Sequence, residues 1–207
     1  MYLITNENNQ YKNLVWMENT THSTTNPNFQ FTLYKTPEIG SYLFPAYENF
    51  QNAKIWKSIP ENFSQNDYLA KAYSVTTIEE IPTQFPTQEQ RITCSILCSL
   101  TYVTNPLFKN WAINYLKKID QSKETAHSVQ EKLLDYPDNV LNPEFNYVSP
   151  AINTLGSVIL NDTMFLTANS ILRTITDSKE FYSKFDLEKI IKICNMIPME
   201  EIANLLE

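Results

Sequence analysis

Glycine is almost absent from this chain of 207 residues, which contains only Gly40 and Gly156. Loops that cradle phosphate or a dinucleotide need several glycines, because their backbone must approach the phosphate closely and adopt positive φ angles. Two glycines that lie more than a hundred residues apart cannot build such a loop. The sequence therefore excludes a P-loop and a standard Rossmann nucleotide site.

The pattern of residues changes near position 82. Before it, short segments rich in β-branched and aromatic residues alternate with turns rich in Asn, Thr and Pro, which is typical of strands. The best of them is YLAKAYSVTTIEEI. The predicted strands are Leu3–Thr5, Leu14–Met17, Phe29–Tyr34, Ala53–Lys57 and Leu69–Ile81, with a polar loop over 18–28 and a short helix within 39–50 that Pro45 breaks.

After a connector with two prolines, the sequence becomes helical. Thr87 and Gln90 form a T-x-x-Q capping box that predicts the start of a helix over 88–103. Asn105-Pro106 predicts the start of the next helix, because Asn caps well and Pro fits the first helical position. Further helices are predicted over 122–135, 151–160, 162–175, 187–196 and 199–205, with a loop over 137–150.

These patterns predict an α+β fold. An N-terminal antiparallel sheet of about four or five strands (1–82) is followed by a helical part of about six or seven helices (83–207), in which helix 88–103 is central. The two parts are compatible with one continuous globular domain. The connector marks a change of structural class.

Charge excludes another class of function. The formal net charge is −7, and the only arginines are Arg91 and Arg173. Nucleic-acid binding usually needs a basic face that neutralises phosphates, so no nucleic-acid partner is expected. No run approaches the length of about 20 apolar residues that a membrane helix needs. The N-terminus has no signal-peptide pattern, so we expect a cytoplasmic protein without a membrane partner.

Cys94 and Cys98 lie one helical turn apart in TCSILCSLTYV, the most apolar run of the chain. A metal site would need further ligands, but Cys194, His22 and His127 are scattered along the sequence without ligand spacing. We therefore predict that both cysteines are small core residues, with no metal and no cofactor.

Catalytic patterns are equally weak in the sequence. The sequence indicates no catalytic partner for either histidine. The side chains of the adjacent pairs Glu79-Glu80 and Glu200-Glu201 point apart, whether the pair lies on a strand or a helix. No serine-nucleophile motif is present. The sequence thus assigns no catalytic residue and favours a protein without enzymatic activity.

Three residues are candidates for contact with a ligand or a partner: Arg91, Tyr34 and Trp16. Arg91 lies in the first turn of a helix, where the helix dipole disfavours a cation. It therefore needs a specific anionic partner, either Glu79 or Glu80 within the chain or a bound ligand. Aromatic residues are common at protein interfaces. We expect Trp111 in the core and leave core or interface open for Trp16 and Trp56.

Residues 88–122 resemble a segment of uncharacterised phage and prophage proteins. The matching residues are Glu89-Gln90-Arg91, Cys98, Phe108, Trp111-Ala112 and Leu116. Such proteins have an N-terminal β-rich part with a Gly-Leu-His element, which Thr32-Leu33-Tyr34 replaces here. The resemblance implies a bacterial or phage origin and the same order of β-rich and helical parts. It supplies no activity to carry over.

Three functions follow as hypotheses. The first is a non-enzymatic cytoplasmic interaction protein that binds a protein partner. The second is a protein that binds a small, nucleotide-like ligand through Arg91, lysines and aromatic residues. The third is an enzyme whose residues converge only in the folded structure. A deep pocket with Arg91 or a histidine would favour the second or third, and an exposed aromatic patch would favour the first.

Overall fold

The computed structural model describes residues 1–101, 103–134, 145–181 and 185–206. These residues form two compact units, 1–85 and 86–207. The first unit is a sheet with one helix, and the second consists of helices. The predicted α+β class, with the antiparallel sheet before the helices, is confirmed.

The N-terminal unit is built on a five-stranded antiparallel sheet with the strand order β4-β7-β5-β1-β6. An additional pairing of β6 with β7 closes strands β1, β5, β7 and β6 into a ring of hydrogen-bonded neighbours. A separate hairpin joins β2 to β3. The elements are β1 Tyr2–Thr5, β2 Gln10–Tyr11, β3 Leu14–Val15, β4 Thr21–Ser23, β5 Phe31–Tyr34, α1 Pro37–Leu43, β6 Lys54–Gln65 and β7 Leu69–Ile81.

Strand β6 is longer than the sequence predicts, since it continues past Lys57 to Gln65. Pairing with β7 extends the strand past Pro60. Proline is tolerated at the edge of a sheet, because its missing N–H is not needed there. The turn into β7 is held by Asn66, whose side-chain oxygen accepts the backbone N–H groups of Tyr68 and Leu69. The polar loop predicted over 18–28 is wrong in part, because residues 21–23 form β4 against β7.

A cluster of buried apolar side chains fills the N-terminal unit. Helix α1 lies against β1 and β5 on a path that Gly40 permits, because a Cβ at that position would lie 3.1 Å from Ile4 Cδ1 and 3.3 Å from Tyr34 Cβ. The buried members of the cluster are Leu3, Tyr11, Trp16, Phe31, Leu33, Trp56, Ala70, Ala72 and Val75.

The helical unit is arranged around α2, which packs against α3, α5, α6, α7 and α8. Seven helices lie in the described part of this unit, within the predicted range. They are α2 Gln88–Leu100, α3 Pro106–Leu116, α4 Lys123–Leu134, α5 Phe145–Ile159, α6 Thr163–Phe181, α7 Leu187–Met196 and α8 Met199–Leu206.

The start signals predicted at Thr87 with Gln90 and at Asn105 with Pro106 are confirmed. The backbone N–H of Gln90 donates to Thr87 Oγ1 at 3.2 Å, and the backbone N–H of Thr87 donates to Gln90 Oε1 at 2.9 Å, which completes the capping box. Asn105 caps α3, and Asp186 caps α7. The end of α2 lies at Leu100, three residues before the predicted end at 103.

The loop predicted over 137–150 is wrong for its last six residues, because α5 begins at Phe145 and contains Pro150. Residues 137–144 lie outside the described residues. Proline removes one N–H from the helix. The carbonyl of Pro150 accepts hydrogen bonds from the hydroxyls of Thr154 at 3.0 Å and Ser170 at 2.9 Å.

These hydroxyls belong to a buried polar contact between α2, α5 and α6. Ser99 Oγ lies 3.0 Å from Thr154 Oγ1 and 3.1 Å from Ser170 Oγ, and the last two are 2.8 Å apart. All three side chains are fully buried. A buried hydroxyl without a partner costs free energy, so this triangle holds the three helices in one register.

Replacement of Thr154 by valine tests the hydroxyl triangle. The change keeps the side-chain volume but removes one hydrogen-bond partner from each of Ser99 and Ser170. We expect the free energy of unfolding to fall by about 1–2 kcal/mol, measured by urea denaturation. Thr176→Val is the matched control, because Thr176 is exposed on α6 and bonds only within its helix. Equal losses in the two variants would contradict a role for the triangle.

Candidate ligand-binding site

Trp16 lies in the core of the N-terminal unit and is completely buried. Its indole N–H donates to the Tyr11 carbonyl at 3.3 Å. The rings of Phe31 and His22 meet it edge-on, with centroids at 5.3 Å and 4.6 Å. Trp56 is also buried, and its N–H donates to Thr5 Oγ1. The sequence left a core position and an interface position open for Trp16 and Trp56. The structure places both in the core of the N-terminal unit.

Arg91 lies in the first turn of α2 and is only 3% exposed. The two carboxylates considered as its partners each lie near a lysine on β6. Glu79 is 3.4 Å from Lys57 Nζ, and Glu80 is 3.9 Å from Lys54 Nζ. The internal salt bridge of Arg91 and its alternative, a bound anion, stay predictions.

Tyr34, the third candidate, ends strand β5 and is 3% exposed. Burial raises the pKa of its phenol well above the ordinary value, and the nearby Tyr11, Tyr47 and Glu48 raise this pKa further. Tyr34 thus lies near a group of polar side chains in the same unit. We call this group the lysine–tyrosine cluster, and its members are Tyr11, Lys12, Tyr34, Tyr47, Glu48 and Lys71.

Lys71 provides the first ammonium group of the cluster. It lies on β7 directly opposite Thr32 of β5, and its Nζ donates to Thr32 Oγ1 at 2.6 Å. The same Nζ lies 4.7 Å from the centre of the Tyr47 ring, within the range of a cation–π interaction. The hydroxyl and the ring fix the position of the ammonium group.

Lys12 provides the second ammonium group from the turn between β2 and β3. The turn holds Lys12 and Asn13 at positive φ, 52° and 61°. The Lys12 Nζ donates to the Gln30 carbonyl at 2.7 Å and lies 4.9 Å from the centre of the Phe29 ring. The same Nζ also lies 5.7 Å from the centre of the Tyr11 ring, so each of the two lysines combines a hydrogen bond with at least one aromatic face.

Glu48 is the acidic group of the cluster. Burial raises the pKa of its carboxyl above the ordinary value, while Lys12 and Lys71 act in the opposite direction. Burial likewise lowers the pKa of Lys71, and the charge of Lys12 lowers it further. Two positive charges and one negative charge thus share a partly desolvated space, with an excess of one positive charge.

Tyr11 and Tyr47 complete the cluster. The Tyr11 hydroxyl accepts the backbone N–H of Thr32 at 3.1 Å, and burial raises its pKa. Burial also raises the pKa of Tyr47, although this ring is 36% exposed. Groups with shifted pKa values concentrate at functional sites, and five of them meet here: Tyr11, Tyr34, Tyr47, Glu48 and Lys71.

The cysteines lie in the helical unit. Cys94 and Cys98 are both completely buried on α2, as predicted for core residues. Cys194 is also buried, on α7, and this helix packs on α2. Sequence separation concealed this contact.

A pocket of about 330 Å³ opens in the helical unit, with Cys194 in its wall. Its walls come from the first turns of α2 and from the junction of α7 and α8. The lining residues are Thr87, Glu89, Gln90, Thr93, Cys194, Asn195, Met196, Ile197, Pro198 and Met199. The lining contains neither Arg91 nor a histidine, which were the residues expected to mark a ligand pocket.

The histidines lie apart from both features. His22 is half-buried on β4, and its Nε2 lies 2.9 Å from the Val15 carbonyl. His127 is exposed on α4, 3.9 Å from a carboxylate oxygen of Glu131. Among the residues that the structure describes, no three side chains of His, Cys, Asp or Glu are grouped to hold a metal ion.

No helix in the described ranges is long and apolar enough to cross a membrane. Comparisons with protein-family models, with curated proteins and with solved structures found no match to this chain. The resemblance of residues 88–122 to phage and prophage proteins stays a prediction. The lysine–tyrosine cluster is therefore the feature of the molecule that indicates a function.

Proposed function

We propose that the protein is a non-enzymatic binding protein that holds a small anionic, nucleotide-like ligand at the lysine–tyrosine cluster. The observation that carries this proposal is the pair of ammonium groups on Lys12 and Lys71, each fixed by a hydrogen bond and by an aromatic ring. An anionic group placed between them would form charge-assisted hydrogen bonds, which are stronger than neutral ones.

Electrostatics supports an anion over a neutral ligand. The two lysines repel each other, which contributes to the lowered pKa of Lys71. Glu48 compensates one of the two positive charges. A phosphate or carboxylate would compensate the other, and the partly desolvated surroundings would strengthen that attraction relative to open solvent.

The rings beside the lysines support a ligand that also carries a planar group. Tyr47 is partly exposed and already faces one ammonium group. Phe29 is half-buried and faces the other. Stacking of one base on an aromatic side chain contributes about 1–3 kcal/mol. A nucleotide combines such a ring with phosphates.

A protein partner is the second candidate function, as the sequence first indicated. The far half of β6 is exposed, and it presents the apolar side chains of Ile59 and Phe63, 55% and 46% exposed. Exposed apolar residues on a strand are typical of a surface that other chains contact. A cytoplasmic location and a phage origin stay predictions with this function.

Thermal unfolding with a panel of ligands tests the proposed site. We expect adenosine triphosphate to raise the melting temperature most, inorganic phosphate less, and adenosine least, because the anion supplies most of the binding. Replacement of Lys71 by methionine removes a charge-assisted hydrogen bond of about 1.5–3 kcal/mol. The affinity for adenosine triphosphate should then fall by about ten- to a hundredfold.

Two further variants make this test specific. Lys57→Met is the matched control, because this substitution removes the same charge. Lys57 is exposed and forms a surface ion pair with Glu79. Glu48→Gln should tighten the binding of adenosine triphosphate, since it removes the carboxylate that competes with the ligand. Equal effects of Lys71→Met and Lys57→Met, or no shift with any phosphate compound, would contradict the proposal.

A further inference from the structure

The lysine–tyrosine cluster contains two ammonium groups, and each of them lies beside an aromatic ring. The Lys12 Nζ lies 4.9 Å from the centre of the Phe29 ring, and the Lys71 Nζ lies 4.7 Å from the centre of the Tyr47 ring. Both distances fall within the range of a cation–π interaction. The same arrangement, a ring with an ammonium group, therefore occurs twice. We call Lys12 with Phe29 the first pair and Lys71 with Tyr47 the second pair.

A continuous chain of contacts connects the two pairs. The Lys12 Nζ lies 5.7 Å from the centre of the Tyr11 ring, and the Tyr11 hydroxyl accepts the backbone N–H of Thr32 at 3.1 Å. The Oγ1 of Thr32 in turn accepts the hydrogen bond from the Lys71 Nζ at 2.6 Å. The first pair and the second pair thus flank the same two residues, Tyr11 and Thr32. One extended ligand that crosses these residues contacts both pairs.

A mononucleotide would use only half of this arrangement. It has one base, so it would stack on one of the two rings and leave the other ring without a base. A dinucleotide has a base at each end of a phosphate bridge. Its groups follow the order base, phosphates, base, which matches the order ring, two ammonium groups, ring. Each base that stacks on a ring adds to the affinity.

The charges of the cluster also favour phosphates that bridge two nucleosides. Lys12 and Lys71 place two positive charges beside the single negative charge of Glu48, so the excess is one positive charge. A terminal phosphate carries close to two negative charges at neutral pH. A phosphate between two nucleosides carries only one, because it has no second acidic proton. A bridge therefore brings less uncompensated negative charge close to Glu48 than a terminal phosphate does.

We infer that the ligand of this site is a dinucleotide, in which a bridge of phosphates joins two nucleosides. One base stacks on Phe29, the other base stacks on Tyr47, and the bridge lies between Lys12 and Lys71. This inference rests on the proposed function, because it uses the same two ammonium groups. It goes further in requiring that both rings bind a base of the same ligand molecule.

Isothermal titration calorimetry with diadenosine triphosphate and adenosine triphosphate tests the inference. The two compounds contain the same number of phosphates and differ by one adenosine. Adenosine triphosphate carries the higher negative charge, so a site that recognises charge alone binds it more tightly. We expect the opposite order, with diadenosine triphosphate bound about five- to a hundredfold more tightly and with one molecule per chain. Diadenosine tetraphosphate is measured in parallel, so that the length of the bridge does not decide the result.

Two substitutions assign the bases to the rings. Phe29→Leu and Tyr47→Leu each remove one ring, so each should abolish the advantage of diadenosine triphosphate over adenosine triphosphate. Phe165→Leu is the matched control, because Phe165 lies on α6 in the helical unit and is 49% exposed. This variant should keep the full advantage. Thermal unfolding without ligand shows whether each variant is folded.

The affinities of the unmodified protein decide the outcome if a variant fails to fold. If neither diadenosine compound binds more tightly than adenosine triphosphate, the dinucleotide inference is overturned, while the anion site of the proposed function stands. If no compound binds at all, both are overturned. An advantage of diadenosine triphosphate that persists in both Phe29→Leu and Tyr47→Leu overturns the inference as well, since the second base would then bind elsewhere.

Discussion

Replacement of Trp16 by alanine is expected to lower the free energy of unfolding by about 3–5 kcal/mol. Trp16 is the largest side chain in the completely buried core of the N-terminal unit. The change leaves a cavity against Phe31 and removes the indole N–H from the Tyr11 carbonyl. Urea denaturation followed by circular dichroism measures the loss.

The adjacent Val15 provides the control for this prediction. Its side chain is 48% exposed, so Val15→Ala should change the free energy of unfolding by less than about 0.5 kcal/mol. If Trp16→Ala cost no more than Val15→Ala, Trp16 would not be a core residue. Its predicted role in contact with a ligand or partner would then regain support.

Replacement of the two glycines by alanine is expected to change the free energy of unfolding in opposite directions. At Gly40 the new methyl group would lie 3.1 Å from Ile4 Cδ1 and 3.3 Å from Tyr34 Cβ, so α1 would have to move away from the sheet. Overpacking of this kind costs about 1–3 kcal/mol. Because Tyr34 belongs to the lysine–tyrosine cluster, Gly40→Ala should also weaken the binding of adenosine triphosphate.

At Gly156 the methyl group would meet Leu166 at 3.5 Å and Gln130 at 3.6 Å, which are ordinary contact distances. Alanine stabilises a helix interior relative to glycine by about 0.5–1 kcal/mol. Gly156→Ala should therefore raise the free energy of unfolding. Urea denaturation of both variants measures these changes. A gain of stability in Gly40→Ala would contradict the close packing of α1 against Ile4 and Tyr34.

The sequence predicted those parts of the fold that local chemistry determines. Thr87 with Gln90, and Asn105 with Pro106, satisfy backbone groups within a few residues, and both helices begin where these signals lie. Pro150 misled the prediction because proline removes an N–H and usually marks a helix boundary, whereas α5 begins before it, at Phe145. The position of this proline inside a helix has no local signature in the sequence.

The candidate site depends on contacts that are distant in sequence. The cluster members come from four separate segments, 11–12, 34, 47–48 and 71, and the pairing of β5 with β7 brings two of these segments together. The one signal that sequence reasoning passed over is Lys71, a charge within an otherwise apolar run of the best predicted strand. The sequence analysis selected Arg91 instead, because arginine is rare in this chain. Arg91 is buried in the structure.

The cysteines also show which features could be predicted from local sequence and which could not. The apolar surroundings of Cys94 and Cys98 predicted their burial, and both are buried, as is Cys194. Local spacing contained no information about Cys194, because its neighbour is decided by the packing of α7 on α2. The burial of Cys94 and Cys98 was therefore predictable from the sequence, whereas the helix that packs against α7 was not.

A nuclear magnetic resonance titration of isotope-labelled protein with adenosine triphosphate tests the binding site most directly. If the lysine–tyrosine cluster holds the ligand, the backbone amide signals of residues 11–12, 30–34, 47–48 and 71 should shift with one common affinity. The amide of Thr32 should shift strongly, since it donates to the Tyr11 hydroxyl. Unchanged signals at these residues at millimolar ligand, or shifts confined to other residues, would contradict the account.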